Sequence, residues 1–141
     1  MTIEKLKSSD LAQYRNLIFE CFDGSNSLET YTQNYDESSQ NYDIVVAKDN
    51  NIIIGAATLY KIDLFTFSFQ PCLELFNVCV AKDYRRNNVA RELLEYIIIF
   101  AKNNEYKSII LNCLSDALPA QKLYESVGFK QTGSLKYILP L

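Results

Sequence analysis

The spacing of apolar positions changes several times along the chain, and each change marks an element. Residues 2–6 read as a first short strand. Leu11, Tyr14, Leu17, Ile18 and Cys21 then recur at steps of three and four, the period of an amphipathic helix, with Ser8 or Ser9 placed to cap its start. Asp23-Gly24-Ser25-Asn26 breaks that helix. Residues 27–41 are polar, with Tyr31 and Tyr35 among them, and fit either a second short helix or a loop. Residues 44–48 and 52–60 are rich in β-branched side chains and flank Asp49-Asn50-Asn51, good chemistry for a hairpin turn. Gly55, inside the second of these strands, marks a bulge or a close backbone approach. Residues 64–69 alternate strongly and extend that strand or begin a return. Pro71 opens a further strand over 72–80.

After residue 80 the period returns to that of a helix. Val89, Ala90, Leu93, Leu94, Ile97, Ile98 and Ala101 place an amphipathic helix over 88–102. Residues 107–113 form a continuous apolar run of the kind found in strands buried on both faces. Asp116 or Ser115 caps a last helix, which carries Pro119 in its first turn and stops at Gly128. Residues 129–132 and 135–139, parted by Gly133-Ser134, close the chain as a hairpin. The elements define an α/β chain, a single domain over 1–141, with a mixed sheet and helices on its faces.

Composition narrows the chemistry. The 141 residues carry a net charge of −3 and no His, which removes Ser/His/Asp and Cys/His triads, His-ligated zinc and an imidazole base. The acidic balance argues against nucleic acid as a partner. The longest apolar stretches, 52–59 and 96–101, fall far short of the ~20 residues of a membrane span. Cys21, Cys72, Cys79 and Cys113 form no CxxC pair and read as buried free thiols, so no metal is expected. A charged start without a leader pattern places the chain in the cytoplasm.

The arginines depart from this average. Three of the four, Arg85, Arg86 and Arg91, fall within seven residues, between the end of a strand and the start of a helix. A helix N-terminus presents unpaired N–H groups and a partial positive charge. With three guanidiniums added, the turn reads either as a phosphate or pyrophosphate site or as a solvated basic turn.

A second segment favours the site. Arg85-x-x-Asn88-x-Ala90, preceded by Asn77-Val78-Cys79-Val80 and Asp83-Tyr84, resembles the acyl-donor motif of the GNAT superfamily of N-acetyltransferases, Arg/Gln-x-x-Gly-x-Gly/Ala after a strand. Ala120, Tyr124, Glu125, Gly128 and Phe129 match that family's second hallmark, Ala-x-x-x-Tyr-Glu-x-x-Gly-Phe, and the element order is similar along essentially the whole chain. Two positions differ. Asn88 replaces the central glycine, and asparagine is the residue that best tolerates left-handed backbone angles after glycine. Ala117 stands where the family often has Asn.

The resemblance implies a mostly antiparallel mixed sheet with two splayed parallel strands, 72–80 and 107–113, and acetyl-CoA as acyl donor between them. Backbone near Val78, Cys79 and Val80 then binds the pantetheine arm and polarises the thioester. The N–H groups of Arg86, Asn87, Asn88, Val89, Ala90 and Arg91, with Arg85, hold the pyrophosphate, and Asn112 contacts cofactor or substrate. The acceptor amine attacks directly, which agrees with the missing histidine. Tyr124 is the expected general acid toward the departing thiolate. Glu74, in an apolar run, is the candidate base, although several relatives place a glutamate at the position of Phe76. Asp23, Glu29, Asp36 and Glu37 point to a cationic acceptor, a small molecule or peptide amine, or else to a solvated helix face. The implied protein is an N-acetyltransferase, monomer or homodimer. The alternative is a degenerate acyl-CoA-binding sensor or interaction module.

Overall fold

The computed structural model describes residues 1–23, 26–66 and 69–141. One sheet of five strands runs in chain order: β1 (Thr2–Lys5), β2 (Tyr42–Asp49), β3 (Ile52–Asp63), β4 (Pro71–Val80) and β5 (Ser108–Leu111). The first four are antiparallel, and β4 and β5 are parallel. The β2–β3 hairpin turns through Asn50 and Asn51, both left-handed at φ 48° and 64°, the conformation that asparagine tolerates best.

Helices cover both faces. On one side lie α1 (Leu11–Phe22) and α2 (Leu28–Asn34), and on the other α3 (Val89–Asn103) and α4 (Leu118–Ser126). Strand alternation sorts the side chains to match. Val45, Ala47, Leu59, Leu73 and Leu75 pack against Leu93, Leu94 and Ile97 of α3. Ile44, Val46, Ile53 and Ala56 pack against Leu11, Tyr14, Leu17 and Ile18 of α1. Residues 27–41, open to either reading in the sequence, contain α2, whose first turn is capped by the Ser27 hydroxyl accepting from the Thr30 N–H at 3.2 Å.

Gly55 marks a close approach. A Cβ there would stand 3.0 Å from Val89 Cγ1, 3.1 Å from Leu93 Cδ1 and 3.2 Å from the Cys79 carbonyl oxygen. Only glycine lets the start of α3 sit this low on the sheet.

Several expectations need correction. Neither Ser8 nor Ser9 caps α1; Asp10 holds that position after a short 3-10 turn and makes no side-chain capping bond, its carboxylate pairing instead with Lys48 at 2.6 Å. Ala117, not Asp116 or Ser115, precedes α4. Of residues 64–69, the described ones follow the end of β3 outside any strand, and Phe67 and Ser68 lie outside the described residues, as do Gly24 and Ser25 of the helix breaker. Cys113 is exposed and Cys21 only half-buried, whereas Cys72 and Cys79 are buried. Strand β5 is shorter than expected and half-exposed rather than buried on both faces. The closing hairpin is absent: residues 130–141 are exposed and outside any strand. The expected pairing takes its stability from packing, and these side chains meet no surface of their own chain.

Candidate active site

The arginine turn is built from backbone. After β4, a 3-10 turn at Lys82–Tyr84 leads into Arg85, which is extended at φ −66° and ψ 153°. Arg86 and Asn88 are then both left-handed, at φ 63° and 61°. Two left-handed residues so close together bend the backbone sharply into the start of α3, where free N–H groups and a partial positive charge suit an anion. Asn88 ends the turn as the N-cap of α3 and makes no side-chain cap bond. The N–H groups that open α3 are those a helix leaves unpaired at its start. The chain therefore adopts the glycine-like angle without glycine, at a cost of roughly 1 kcal/mol for a non-glycine residue.

The arginines divide their work. Arg85 Nε donates to the Val80 carbonyl at 3.1 Å, tying the turn to the end of β4. Arg91 Nη2 donates to Ser126 Oγ at 2.7 Å, which docks α4 on the first turn of α3. Arg86 and Asn87 are exposed. Val89 is buried beneath the turn and anchors it on Gly55.

Upstream of the turn, β4 is bulged. Cys79 pairs with Ala56 and Phe76 with Thr58, so Asn77 and Val78 together oppose Ala57. Asn77 takes φ 53°. A bulge withdraws backbone groups from the ladder and re-aims them. On the β5 side, pairing stops at Leu75 with Leu111, while β4 runs on to Val80. Because β5 ends at Leu111, the last residues of β4, from the bulge onward, have no strand partner on that side.

Tyr124 lies on α4, half-buried, with its ring edge-on to Phe129 at 5.9 Å. Burial pushes its phenol above the ordinary value, with Cys113, just past the end of β5, adding to the shift. The group is therefore protonated at neutral pH. Asn112 is exposed immediately after β5. The Cys79 side chain is buried in the α1-side core, where burial and the neighbouring Cys21 thiol push its pKa far up, so the backbone rather than the thiol is available for chemistry.

A cavity of about 380 Å³ opens on the α1–α2 side of the same bulge. Its aromatic wall is Tyr14, Tyr31, Tyr35, Tyr42 and Tyr60, and Asn77 reaches it from β4. The rings brace one another: Tyr14 and Tyr31 meet edge-on at 5.9 Å, and Tyr60 meets Phe76 edge-on at 5.4 Å. Burial raises the Tyr14 phenol far above its usual value and the Tyr35 phenol to about 12, with Glu37 adding to the latter. No lining residue bears a charge at neutral pH. Asp43, between the lining residues Tyr42 and Ile44, pairs instead with Lys5 at 2.8 Å and Lys61 at 3.1 Å.

The structure thus gathers Val78, Val80 and residues 85–91 around one end of β4, with α4 and its Tyr124 tied to them through Arg91. It does not bring Glu74 there. That residue is half-buried in the paired part of β4, opposite Tyr60 and Ile110, and does not line the cavity. Asp23, Glu29, Asp36 and Glu37 are not in the lining either; Asp36 and Glu37 border a separate open depression with Ser8. Sequence reasoning missed the tyrosine wall. Its trace was the fall of five of the ten tyrosines between positions 14 and 60, and Asn77 as the polar break in an apolar strand. Among the described residues, no group of three or more His, Cys, Asp or Glu side chains is arranged to hold a metal ion, and no helix is long and apolar enough to cross a membrane.

A five-stranded mixed sheet with its one parallel pair beside an anion-suited helix start is the arrangement to compare with known proteins. Residues 11–129 match the model of the acetyltransferase (GNAT) family, and the chain belongs to that family. It is 32% identical to human N-acetyltransferase 8 over 88 residues, 62% of this chain and 38% of that protein. It is 33% identical to the mouse N-acetylaspartate synthetase over 98 residues, 68% of this chain and 30% of the relative. The chain thus spans about a third of the length of these curated relatives. The fold matches the crystal structure of glucosamine-6-phosphate N-acetyltransferase from Arabidopsis thaliana with a TM-score of 0.85 at 17% identity, over 98% of this chain and 97% of that one.

Proposed function

We propose that this protein is an N-acetyltransferase that moves an acetyl group from acetyl-CoA directly to a primary amine within a ternary complex. One observation carries the reading: the β4 bulge at Asn77 and Val78 has the arginine turn at its far end and the tyrosine cavity on its α1–α2 side. Donor and acceptor then meet at a single stretch of backbone. The N–H groups of residues 86–91, with Arg85 and Arg86, hold the pyrophosphate; backbone around Val78, Cys79 and Val80 takes the pantetheine arm; Asn112 borders it from β5.

The chemistry needs positioning more than a protein nucleophile. The amine nitrogen attacks the thioester carbonyl carbon, and backbone N–H groups freed at the bulge stabilise the oxyanion. The C–S bond breaks, and the Tyr124 hydroxyl hands its proton to the departing thiolate. The proton released by the amine passes to water, with Glu74 as the carboxylate that receives it at a distance. The neutral, tyrosine-walled cavity supports an acceptor whose ammonium group rests on aromatic faces and phenolic oxygens. It offers no cation for a carboxylate or phosphate, so the acceptor differs from those for which the aspartate and glucosamine-6-phosphate relatives are named. The four free thiols suit a reducing, cytoplasmic setting.

Acetyl-CoA should raise the melting temperature by mass action, and free thiol should appear when a panel of uncharged-bodied primary amines is added. No thermal shift would sink the reading altogether. A shift without thiol release from any amine would leave the acyl-CoA-binding sensor, a reading favoured by the lack of any carboxylate in the cavity wall.

A further inference from the structure

The end of α1 is fastened to the backbone that follows the β4 bulge. Glu20 Oε2 accepts from the Lys82 N–H at 3.3 Å, and the Cys21 thiol donates to the Val80 carbonyl at 3.5 Å. Arg85 Nε donates to that same carbonyl at 3.1 Å, so one oxygen ties both α1 and the arginine turn to β4.

Cys79, one residue before Val80, belongs to the same contact. Its side chain is buried in the α1-side core, and the half-buried Cys21 packs against that core. The two thiols lie within hydrogen-bonding reach: burial, and after it the Cys21 thiol, keep the proton on Cys79. The other two thiols are placed differently. Cys72 faces Ser108 of β5, and the exposed Cys113 directs its thiol at the Leu114 carbonyl at 3.6 Å. Acyl transfer as proposed takes only backbone from Cys79 and nothing from Cys21, so the paired thiols are left without a part in it.

We propose that Cys21 and Cys79 are a peroxide-sensitive thiol pair, closing to a disulfide that clamps the end of α1 onto β4 and weakens the hold on acetyl-CoA. The bond follows from the thiol contact; its effect on the cofactor rests on the acetyltransferase reading. Cys21, the more exposed, meets the oxidant. One oxygen of hydrogen peroxide passes to its sulfur and the other leaves as water, giving a sulfenic acid. The Cys79 sulfur then attacks the Cys21 sulfur, the S–O bond breaks, and the departing hydroxide takes the Cys79 proton to leave as a second water. Two thiols and one peroxide thus become one disulfide and two waters. Burial keeps Cys79 from the oxidant, which suits it to the second step and not to the first.

The bond acts on the donor side through geometry. A disulfide draws its sulfurs to about 2.05 Å, closer than two thiols rest. Cys79 is held in the ladder opposite Ala56, so the displacement falls on the end of α1 and on the bulge beside Cys79. Oxidation also removes the proton that Cys21 gives to the Val80 carbonyl, leaving that oxygen to Arg85. Both changes bear on the backbone of residues 78–80 and on the turn after it. A pair that is reduced at rest and closes under peroxide is compatible with a reducing compartment.

The test uses the full chain. After brief treatment with hydrogen peroxide and alkylation of the remaining thiols, mass spectrometry should show a Cys21–Cys79 link in the non-reduced digest, lighter by two hydrogens than the free pair. Oxygen added at Cys21 without the link, or Cys21 joined to Cys113 instead, overturns the proposal. Calorimetry should give the oxidised chain a severalfold higher acetyl-CoA Kd, restored by dithiothreitol; an equal Kd overturns the switch. Cys21→Ser, which keeps a donor for the Val80 carbonyl, should bind acetyl-CoA as the reduced chain does and ignore peroxide, while Cys113→Ser should respond as the native chain does. A Cys21→Ser chain that still loses affinity under peroxide, or a Cys113→Ser chain that no longer does, assigns the effect to another residue and overturns the pair. Failure of the reduced chain to bind acetyl-CoA is the separate result that sinks the acetyltransferase reading, and the mapped bond decides the thiol pair without it.

Discussion

The two sides of the β4 bulge are built on opposite principles. On the donor side, a turn of seven consecutive residues carries charge, left-handed backbone and a helix start, and the side chains mostly fasten it: Arg85 to β4 and Arg91 to α4. On the acceptor side, the wall is neutral and comes from α1, α2, β2, β3 and β4, with tyrosines braced against one another. The contrast is chemical. On the proposed reading, a strongly charged pyrophosphate meets the backbone N–H groups of one local turn, and an amine acceptor meets a wall of side chains from several elements.

The largest expected effect falls where the two sides meet. Tyr124→Phe should lower kcat by roughly 10²-fold, the usual contribution of a general acid, with the acetyl-CoA Kd unchanged. Unaltered kcat across the pH range would return Tyr124 to a packing role against Phe129. Next comes the donor side. Charge reversal at Arg85 and Arg86 together should raise the acetyl-CoA Kd about tenfold or more, since each reversal converts attraction into repulsion at an anion site. The acceptor KM should stay put, and an equal Kd in calorimetry would make the turn a solvated surface.

Smaller effects sharpen the division. Gly55→Ala should destabilise the fold by about 1–3 kcal/mol through overpacking and weaken acetyl-CoA binding along with it, because the added methyl pushes on Val89 and Leu93 under the turn. Denaturant midpoints that match the native chain would show that the start of α3 yields freely. Tyr60→Leu should raise the acceptor KM severalfold while leaving the acetyl-CoA Kd alone; a change in the cofactor Kd instead would join the two sides that the structure separates. The smallest effect is on pH. Burial raises the pKa of Tyr14 and Tyr35, so the folded chain holds these protons more tightly than the unfolded one. Their contribution to stability is complete below the ordinary tyrosine value of about 10 and is lost as pH climbs through the Tyr35 value of about 12. Denaturation midpoints measured on either side of pH ~10 check this, and a midpoint that rises with pH contradicts it.

The turn before α3 was legible in the sequence because it is local. Arg85, Asn88 and Ala90 are close in the chain, and the helix period from Val89 fixes where the N-terminus lies. The second motif, through its resemblance to the family hallmark, implied the place of Tyr124, and Gly128 marked the end of the last helix. Asn88 shows the same locality: its left-handed angle follows from the need of the turn and the tolerance of asparagine. The caps misled for a reason of equal simplicity. Serines at 8 and 9 and Asp116 have the right chemistry, but the chain enters α1 through a 3-10 turn and α4 through Ala117, so their side chains never reach the first free N–H groups.

The acidic residues of 23–37 left two readings open because a polar helix face and a cation-binding wall have the same composition. Only packing told them apart, by turning Tyr31 and Tyr35 inward while Glu29 bonds Gln33 at 3.2 Å on the surface. The place of Glu74 also needed the structure: an acid in an apolar strand reads as close to the chemistry, and the register with β3 and β5 sets it in the paired region, at a distance from the bulge.

By itself, the sequence determined the long helices, the strands up to β4, their order and the strand-to-helix turn after β4, because periodicity, turn residues and short motifs act within a few residues. Tertiary structure alone decided the β4 bulge at Asn77, the gathering of five distant tyrosines into one neutral wall, and the failure of residues 130–141 to fold back as a hairpin. Those outcomes depend on which surfaces meet, and side-chain packing between segments far apart in the chain sets that.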